Sequence, residues 1–248
     1  MKKRSNSLVV GGTRGIGSVI AETLTARGDK VFTASRRELK ENDGHISVDL
    51  SSPKKAARIV YEKLAKDPEF LLDSLVFSQR YRGDNADEEL IIMVKATESL
   101  VVSLLPLFHA GTSIIVLGSN ASRFVIAEQS MLYHVIRHGL EGLVRYFAVE
   151  LGPKGVRINT VLVTTIIKPE NKDFFHGDEG KEIRELIEAI TPMRRMGDAQ
   201  DVANLIEFLC SERGSFITGQ SILLDGGAGL PAHEGAFRHL LEMKHPNL

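Results

Sequence analysis

Short apolar segments rich in β-branched residues alternate along this chain with longer segments whose apolar residues recur every three or four positions. The short segments predict strands buried on both faces, and the longer period predicts amphipathic helices. We predict seven strands, at residues 7–10, 30–35, 45–49, 74–78, 113–118, 157–163 and 220–224. Alternation of strands and helices indicates an α/β fold around a parallel sheet.

Local signals place the helices between these strands. Ile16, Ile20 and Leu24 recur at four-residue spacing, and Gly28 ends that helix. Asp198 caps a later helix. No internal repeat, low-complexity tract or linker interrupts the pattern. We therefore predict one domain over residues 1–248, a doubly wound parallel sheet of about seven strands.

Composition and charge narrow the classes of partner. The chain is 43% hydrophobic and 25% charged, as in an ordinary globular protein, and its formal net charge is -1. No broad positive field attracts nucleic acid or an anionic membrane, and we expect neither as a partner. The single cysteine, Cys210, cannot form an internal disulfide and fits a reduced, cytoplasmic setting.

Three classes of segment or site are not expected. The basic start at residues 1–4 precedes only three apolar residues, so we predict no secretion signal. No apolar stretch is long enough to lead us to expect a membrane span. His233, His239 and His245 lack carboxylate or cysteine neighbours at ligand spacing, and we predict no metal site.

A glycine-rich turn joins the first strand to the first helix. Gly11, Gly15 and Gly17 are spaced G-x-x-x-G-x-G, with Thr13, Arg14 and Ile16 between them. Glycine permits a sharp turn and lets the backbone approach a phosphate, which the N-terminus of the following helix attracts. In a βαβ context this turn predicts a site for the pyrophosphate of a dinucleotide.

The end of the second strand indicates which dinucleotide binds. It reads Ser35-Arg36-Arg37, where a site for NAD places an acidic residue against the ribose hydroxyls. A guanidinium suits a 2′-phosphate instead, and Arg14 adds positive charge on the same side. We therefore expect NADP(H) as the cofactor.

These features together resemble the short-chain dehydrogenase/reductase family, and within it most closely the 3-oxoacyl-acyl-carrier-protein reductases. The resemblance runs from about Leu8 to Gly227. Its pieces are the glycine turn, Ser35-Arg36, Asp49-Leu50, Ser119, Tyr133, Arg157-Ile158-Asn159, Arg195-Met196-Gly197, Asp201 and the segments 216–220 and 224–227. The resemblance implies a Rossmann-type fold and an adenine pocket lined by Asp49 and Leu50.

The catalytic chemistry that the resemblance implies centres on a tyrosine. Carbonyl reduction needs an acid that protonates the developing alkoxide, and a tyrosine serves where nearby positive charge lowers its pKa from about 10. Tyr133 matches the family's tyrosine, and Arg137 follows one helical turn later, where the family carries lysine. Arginine keeps the charge and can bond the nicotinamide ribose, but it cannot release a proton. Ser119 matches the substrate-orienting serine, with Asn120 as the alternative.

The nicotinamide half of the expected pocket departs from the family pattern in further places. Phe77-Ser78-Gln79-Arg80 replaces Asn-Asn-Ala-Gly, Lys95 replaces the helix asparagine of the proton relay, and Val163-Thr164 replaces Pro-Gly. The adenosine-phosphate half keeps its pattern. One interpretation is therefore an active NADPH-dependent ketoreductase acting on a small-molecule or acyl-thioester substrate, with Arg80 and Lys95 recognising an anionic group.

Two other interpretations stay open. In one, the fold is retained, with or without nucleotide binding, but redox turnover is lost, so that the protein acts as a nucleotide-binding module or partner subunit. In the other, the pocket runs non-redox acid/base chemistry such as dehydration or isomerisation.

Two segments lie outside the core pattern, and two helices suggest association. Residues 165–195, which include Phe174 and Phe175, are a candidate substrate lid whose phenylalanines either contact substrate or pin the segment to the body. Residues 228–248 form a C-terminal extension with a short apolar face.

The segments 89–108 and 131–151 carry more apolar residues than one buried stripe needs, which predicts a homodimer or homotetramer.

Overall fold

A computed structural model describes residues 5–38 and 44–244 of the chain. The basic start at residues 1–4 and His245 lie outside these residues. Seven parallel strands form a sheet in the order β3-β2-β1-β4-β5-β6-β7. They are β1 Asn6–Val10, β2 Lys30–Ser35, β3 His45–Ser47, β4 Leu72–Phe77, β5 Phe108–Ser119, β6 Arg157–Val163 and β7 Ser221–Leu224. The predicted α/β class and its seven-stranded parallel sheet are confirmed.

The helices cover both faces of the sheet. They are α1 Gly15–Ala26, α2 Pro53–Leu64, α3 Ala86–Leu90, α4 Ala96–Leu104, α5 Met131–Leu151, α6 Lys172–His176, α7 Asp178–Ile190, α8 Ala199–Leu209 and α9 His233–Lys244. A π-helical turn, Ile91–Lys95, joins α3 to α4. One apolar cluster packs α2, α4 and α5 against the sheet, and a second packs α1 and α8 against its other face.

The strand order fixes the place of the site. From β1 the chain moves outward to β2 and β3, then returns to β4 on the other side of β1. In a doubly wound sheet, ligands bind at the carboxyl ends of the strands beside this reversal. The glycine turn lies at this edge of the sheet, since it joins the end of β1 at Val10 to the start of α1 at Gly15.

Strand β5 is longer than the sequence pattern predicts. It begins at Phe108 instead of residue 113, and Phe108 pairs with Leu72 across a shift of register. The intervening residues include His109, Gly111 and Thr112, so they lack the apolar run that would have predicted a strand.

The prediction that no segment could span a membrane is wrong by length and composition. The helical run Ala86–Leu107 has 22 residues and contains an 18-residue stretch with a mean hydropathy of 1.8. Ile92, Met93 and Leu100 on this run are buried in the core. The run combines three kinds of helical turn, and the sequence pattern did not reveal its full length.

The apolar residues that suggested association are mostly covered within the chain itself. Val101, Leu104, Leu140, Val144 and Phe147 are buried by the chain's own core. A different face of α5 stays apolar and exposed, with Val135, Tyr146 and Val149. The inner face of α5 covers the apolar sheet, and the exposed apolar face is the one left for association.

Candidate active site

A cleft of about 830 Å³ opens at the carboxyl ends of the strands. Every residue predicted for cofactor binding or catalysis lines it: Gly11, Thr13, Arg14, Gly15, Ile16, Gly17, Ser35, Arg36, Asp49, Leu50, Ser119, Tyr133 and Arg137. The segments that carry them are far apart in sequence, and the parallel sheet brings their ends to one edge. The structure therefore joins the glycine turn and the tyrosine in one site.

The glycine turn is shaped by close backbone contacts. Gly11 and Gly15 have φ angles of +80° and +60°, which favour glycine. A Cβ on Gly11 would lie 2.7 Å from the backbone nitrogen of Gln79, so only glycine lets β1 and β4 end side by side there. Helix α1 starts at Gly15 with neither a side-chain cap nor an acidic residue in its first turn. Its first N–H groups are available to an anion.

Basic side chains surround the adenosine end of the cleft. Arg14, Arg36 and Arg37 line it, and the positive charge of Arg82 lowers the pKa of Arg14, helped by burial and by Arg37 and Arg36. A hydrogen bond from the Ser51 N–H lowers the pKa of Asp49, and the charge of Arg36 lowers it further. This donor set fits the phosphates of a dinucleotide, with Arg36 placed near Asp49 at the predicted adenine pocket.

A carboxylate of the chain itself lies against the glycine turn. A Cβ on Gly15 would be 2.8 Å from Oε1 of Glu170, a residue of the loop after β6. The same oxygen lies 3.4 Å from the Arg82 guanidinium. Glu170 thus holds negative charge where the N-terminus of α1 attracts a phosphate.

Tyr133 and Arg137 meet as the helical spacing predicted, but the arginine has a partner that the spacing did not reveal. The guanidinium carbon of Arg137 lies 4.4 Å from the Tyr133 ring centroid. Arg137 also donates a 2.7 Å hydrogen bond to Glu89, and both residues are buried. The charge beside the tyrosine is therefore balanced by a carboxylate. Within the described residues the Tyr133 hydroxyl has no hydrogen-bond partner.

Ser119 and Asn120 both line the cleft at the end of β5. Ser119 Oγ accepts a 3.2 Å hydrogen bond from the Ala121 N–H and thereby caps a short helical turn. Asn120 donates to the Thr164 hydroxyl at 3.3 Å. Ser119 therefore has a structural role as well as a position facing the cleft.

Residues 77–80, which replace the family's Asn-Asn-Ala-Gly at the end of β4, change the cleft less than the size of their side chains predicts. Phe77 is buried in the core and lies outside the cleft. Gln79 donates a 2.9 Å hydrogen bond to Thr97 Oγ1. Arg80 and Lys95 are both exposed, but only Arg80 lines the cleft. The prediction that Lys95 contacts a substrate is wrong, because the π-helical turn directs that position to solvent.

Sequence reasoning missed four charged residues that line the cleft, Arg82, Glu88, Lys168 and Glu170, and also Glu89, which pairs with Arg137. Lys168 and Glu170 lie in the loop after β6, where the carboxyl end of a strand is a signal for ligand contacts. Glu89 carries no such signal, because the ion pair with Arg137 depends on how α3 packs against α5.

The candidate lid is mostly helical, and only its first part reaches the cleft. Residues 165, 166, 168, 170 and 171 line the cleft, but no residue of α6 or α7 does. Phe174 and Phe175 form a T-shaped pair 5.1 Å apart, and Phe175 is buried. Phe175 thus anchors the segment, whereas Phe174 stays exposed. Helix α9 of the extension contacts α7 and contributes no described residue to the cleft. In the described part of the chain no metal-binding cluster is found.

Comparison with known proteins agrees with this geometry. Residues 10–229 match the family model described as Enoyl-(Acyl carrier protein) reductase. A tropinone reductase homolog of Arabidopsis thaliana is 30% identical over 242 residues, which are 89% of each chain. The narrower resemblance to 3-oxoacyl-acyl-carrier-protein reductases stays a prediction.

Two solved structures have the same fold. The ligand-free aldohexose dehydrogenase of Thermoplasma acidophilum is 23% identical with a TM-score of 0.80, over 93% of this chain and 96% of that one. The RhlG/NADP active-site complex of Pseudomonas aeruginosa is 25% identical with a TM-score of 0.75, over 91% of this chain and 96% of that one. The chain thus belongs to the short-chain dehydrogenase/reductase family.

Proposed function

We propose that the protein is an NADP(H)-dependent oxidoreductase that transfers hydride between the nicotinamide and a carbonyl or alcohol substrate. The observation that carries this proposal is the position of Tyr133. It lines the same cleft as the glycine turn and Ser119, and its hydroxyl has no partner within the described residues. A cofactor-binding turn and a free acid in one cleft are the two elements that carbonyl reduction requires.

Carbonyl reduction needs a hydride donor and a proton donor. NADPH, held by the glycine turn and Arg36, would supply a hydride with its two electrons to the carbonyl carbon and would become NADP+. Tyr133 gives its phenolic proton to the carbonyl oxygen, and an alcohol forms. Ser119 orients the carbonyl oxygen toward the tyrosine, while the Arg137 guanidinium holds the tyrosine ring in place. Solvent returns the proton to Tyr133, since Arg137 cannot pass one on.

The preference for NADP(H) has its own support. Arg36 and Arg14 line the adenosine end of the cleft, where a 2′-phosphate distinguishes the two dinucleotides. The related RhlG was crystallised with NADP.

Replacement of Tyr133 tests the proposal. Tyr133→Phe removes the proton donor, and we expect oxidation of NADPH by an accepted ketone or acyl thioester to fall by about a hundredfold or more. NADPH binding, followed by fluorescence titration, stays unchanged. Tyr146→Phe is the matched control, since Tyr146 is exposed on α5 and lies outside the cleft. Turnover that survives Tyr133→Phe contradicts the assigned role.

A second candidate function has a specific observation in its favour. Glu89 pairs with Arg137, and Glu170 lies against Gly15, so a carboxylate opposes both the positive charge beside Tyr133 and the binding of phosphate at the glycine turn. A protein that binds nucleotide or a partner subunit without redox turnover is consistent with this. NADPH binding without oxidation across a broad panel of ketones and acyl thioesters favours this candidate.

A further inference from the structure

Two cations that line the cleft have no hydrogen-bond or ion-pair partner among the residues that the structure describes. Arg80 follows β4, Lys168 follows β6, and both line the cleft. Among residues 5–38 and 44–244, neither side chain makes a hydrogen bond or a salt bridge. Their basic neighbours differ in this respect, because Arg82 pairs with Glu170 and Arg137 pairs with Glu89.

The two free cations lie close to each other and to the tyrosine. Burial lowers the pKa of Lys168, the positive charge of Arg80 lowers it further, and the Glu170 carboxylate, which is paired with Arg82, opposes these two effects in part. Tyr133 is also near enough to influence Lys168. Lys168 is half-buried and Arg80 is exposed, and partial burial beside a second positive charge disfavours the charged form of the lysine. An anion between them removes that cost.

These cations are separate from the basic group at the adenosine end. The Arg82–Glu170 ion pair influences both Arg14 and Lys168, whereas Arg80 influences Lys168. The other cations that act on Arg14 are Arg37 and Arg36, at the end of β2. The phosphates of the cofactor therefore have their own set of arginines, and the pair at the tyrosine end remains for the substrate.

We propose that Arg80 and Lys168 bind a carboxylate of the substrate, so that the compound reduced beside Tyr133 is an aldehyde or ketone that carries an acid group. The inference rests on the proposed function for its reaction and on the two cations for its substrate class. A guanidinium can hold a carboxylate through two hydrogen bonds, and the lysine adds a point charge. A neutral ketone leaves both charges unpaired.

A matched pair of probes tests the substrate class. 4-Formylbenzoate and its methyl ester have the same aldehyde, but only the first carries a negative charge. Binding of each is measured by calorimetry with the protein saturated with NADP+, so that the cofactor phosphates already occupy their own site. We expect the acid to bind about tenfold or more tightly than the ester. Lys168→Met and Arg80→Met each remove most of that difference.

The control is Lys172→Met, which deletes an exposed cation just outside the cleft and keeps the preference for the acid. Equal binding of acid and ester by the unmodified protein overturns the inference. So does displacement of NADP+ by the acid, which would place the anion in the cofactor site. Turnover of both probes with NADPH is measured in parallel. If Lys168→Met slows acid and ester equally, Lys168 acts on Tyr133 instead, and the carboxylate site is wrong.

The two proposals fail separately in this design. Preferential binding of the acid without NADPH oxidation leaves the carboxylate site standing and removes the reductase function. Oxidation of NADPH by the ester as fast as by the acid leaves the reductase function standing and removes the carboxylate site.

Discussion

At the scale of single residues, Arg137 shows how one partner changes the role of a side chain. The sequence places it beside Tyr133, and the structure adds a buried hydrogen bond to Glu89. A buried charge whose partner is removed remains desolvated and unpaired, which costs several kcal/mol. The pair therefore acts first as a fixed support for the tyrosine ring.

We expect Arg137→Met to lower the free energy of unfolding by about 3–5 kcal/mol, because the Glu89 carboxylate is then buried alone. Glu89→Met should cost a similar amount. The double variant Glu89→Met/Arg137→Met restores most of the loss, since apolar side chains replace both charges. Urea unfolding measures all three. Losses that simply add in the double variant contradict a coupled pair.

Glu170 carries a prediction about cofactor affinity. Its carboxylate lies against Gly15, where the pyrophosphate is expected, and must be displaced when a phosphate binds. Glu170→Gln keeps the size and removes the charge, so NADPH binding should tighten by about tenfold. Glu182→Gln, an exposed change on α7, is the control. Unchanged affinity in Glu170→Gln shows that the carboxylate does not compete with phosphate.

Arg36 carries the prediction about cofactor choice. NADPH should bind more tightly than NADH by about ten- to a hundredfold, the range for a charge-assisted hydrogen bond to the 2′-phosphate. Arg36→Ala should lose most of this preference while NADH binds as before. Titrations with both nucleotides measure it. Equal affinities in the unmodified chain mean that the end of β2 does not recognise the 2′-phosphate.

At the scale of elements, helix α8 begins at the cap that the sequence predicts, Asp198. Asp198 and Asp201 form a capping box, each accepting a hydrogen bond from the other's backbone N–H. Arg195 adds two hydrogen bonds to Asp201, at 2.6 and 2.8 Å. These contacts join the segment before α8 to the helix, and Ile167 pairs with Asp198 beside them. The loop that carries Lys168 is thus fixed next to the start of α8.

This capping box predicts a pH dependence of stability. The hydrogen bond from Arg195 lowers the pKa of Asp201 below its usual value. A carboxyl with a lowered pKa in the folded state contributes stability above the unfolded value, roughly 3.9, and loses it as the pH falls through the folded value. Asp201→Asn should therefore cost about 0.5–1 kcal/mol at neutral pH. The difference from the unmodified chain should vanish in strong acid, as chemical unfolding across pH can measure. A loss that is independent of pH contradicts the charged role.

At the scale of the whole molecule, the exposed face of α5 predicts association. Val135, Tyr146 and Val149 are 55, 63 and 75% exposed, and a Cβ on Gly139 or Gly142 would meet nothing within 4 Å. An apolar helix face with small residues at its centre lets another helix approach closely.

We expect light scattering to give a multiple of 27.3 kDa at micromolar concentration. Val149→Glu places a charge on the exposed face of α5 and should shift the protein toward the monomer. A charge at Val19 would not test this face, because Val19 packs against the core. Glu150→Lys, on the same helix, is the charged control. A 27.3 kDa particle in the unmodified protein contradicts the prediction.

The sequence by itself determined the sheet, the glycine turn and the adenosine end of the cleft. These depend on neighbours in the chain: apolar runs form strands, and the positive φ angles of Gly11 and Gly15 require glycine wherever the strand turns into the helix. The spacing of Tyr133 and Arg137 was readable for the same reason, because one helical turn brings residues four apart together.

Only the tertiary structure decided which charges are paired. Arg137 meets Glu89, 48 residues away, because α3 packs against α5. Glu170 reaches Gly15, and Lys168 comes close to Arg80, because the loop after β6 crosses the same edge of the sheet as the segment after β4. Periodicity and motif spacing describe one element at a time, whereas a contact between elements depends on the angle and distance at which they pack. The chemistry of the tyrosine end, with its balanced arginine and its two free cations, follows from that packing.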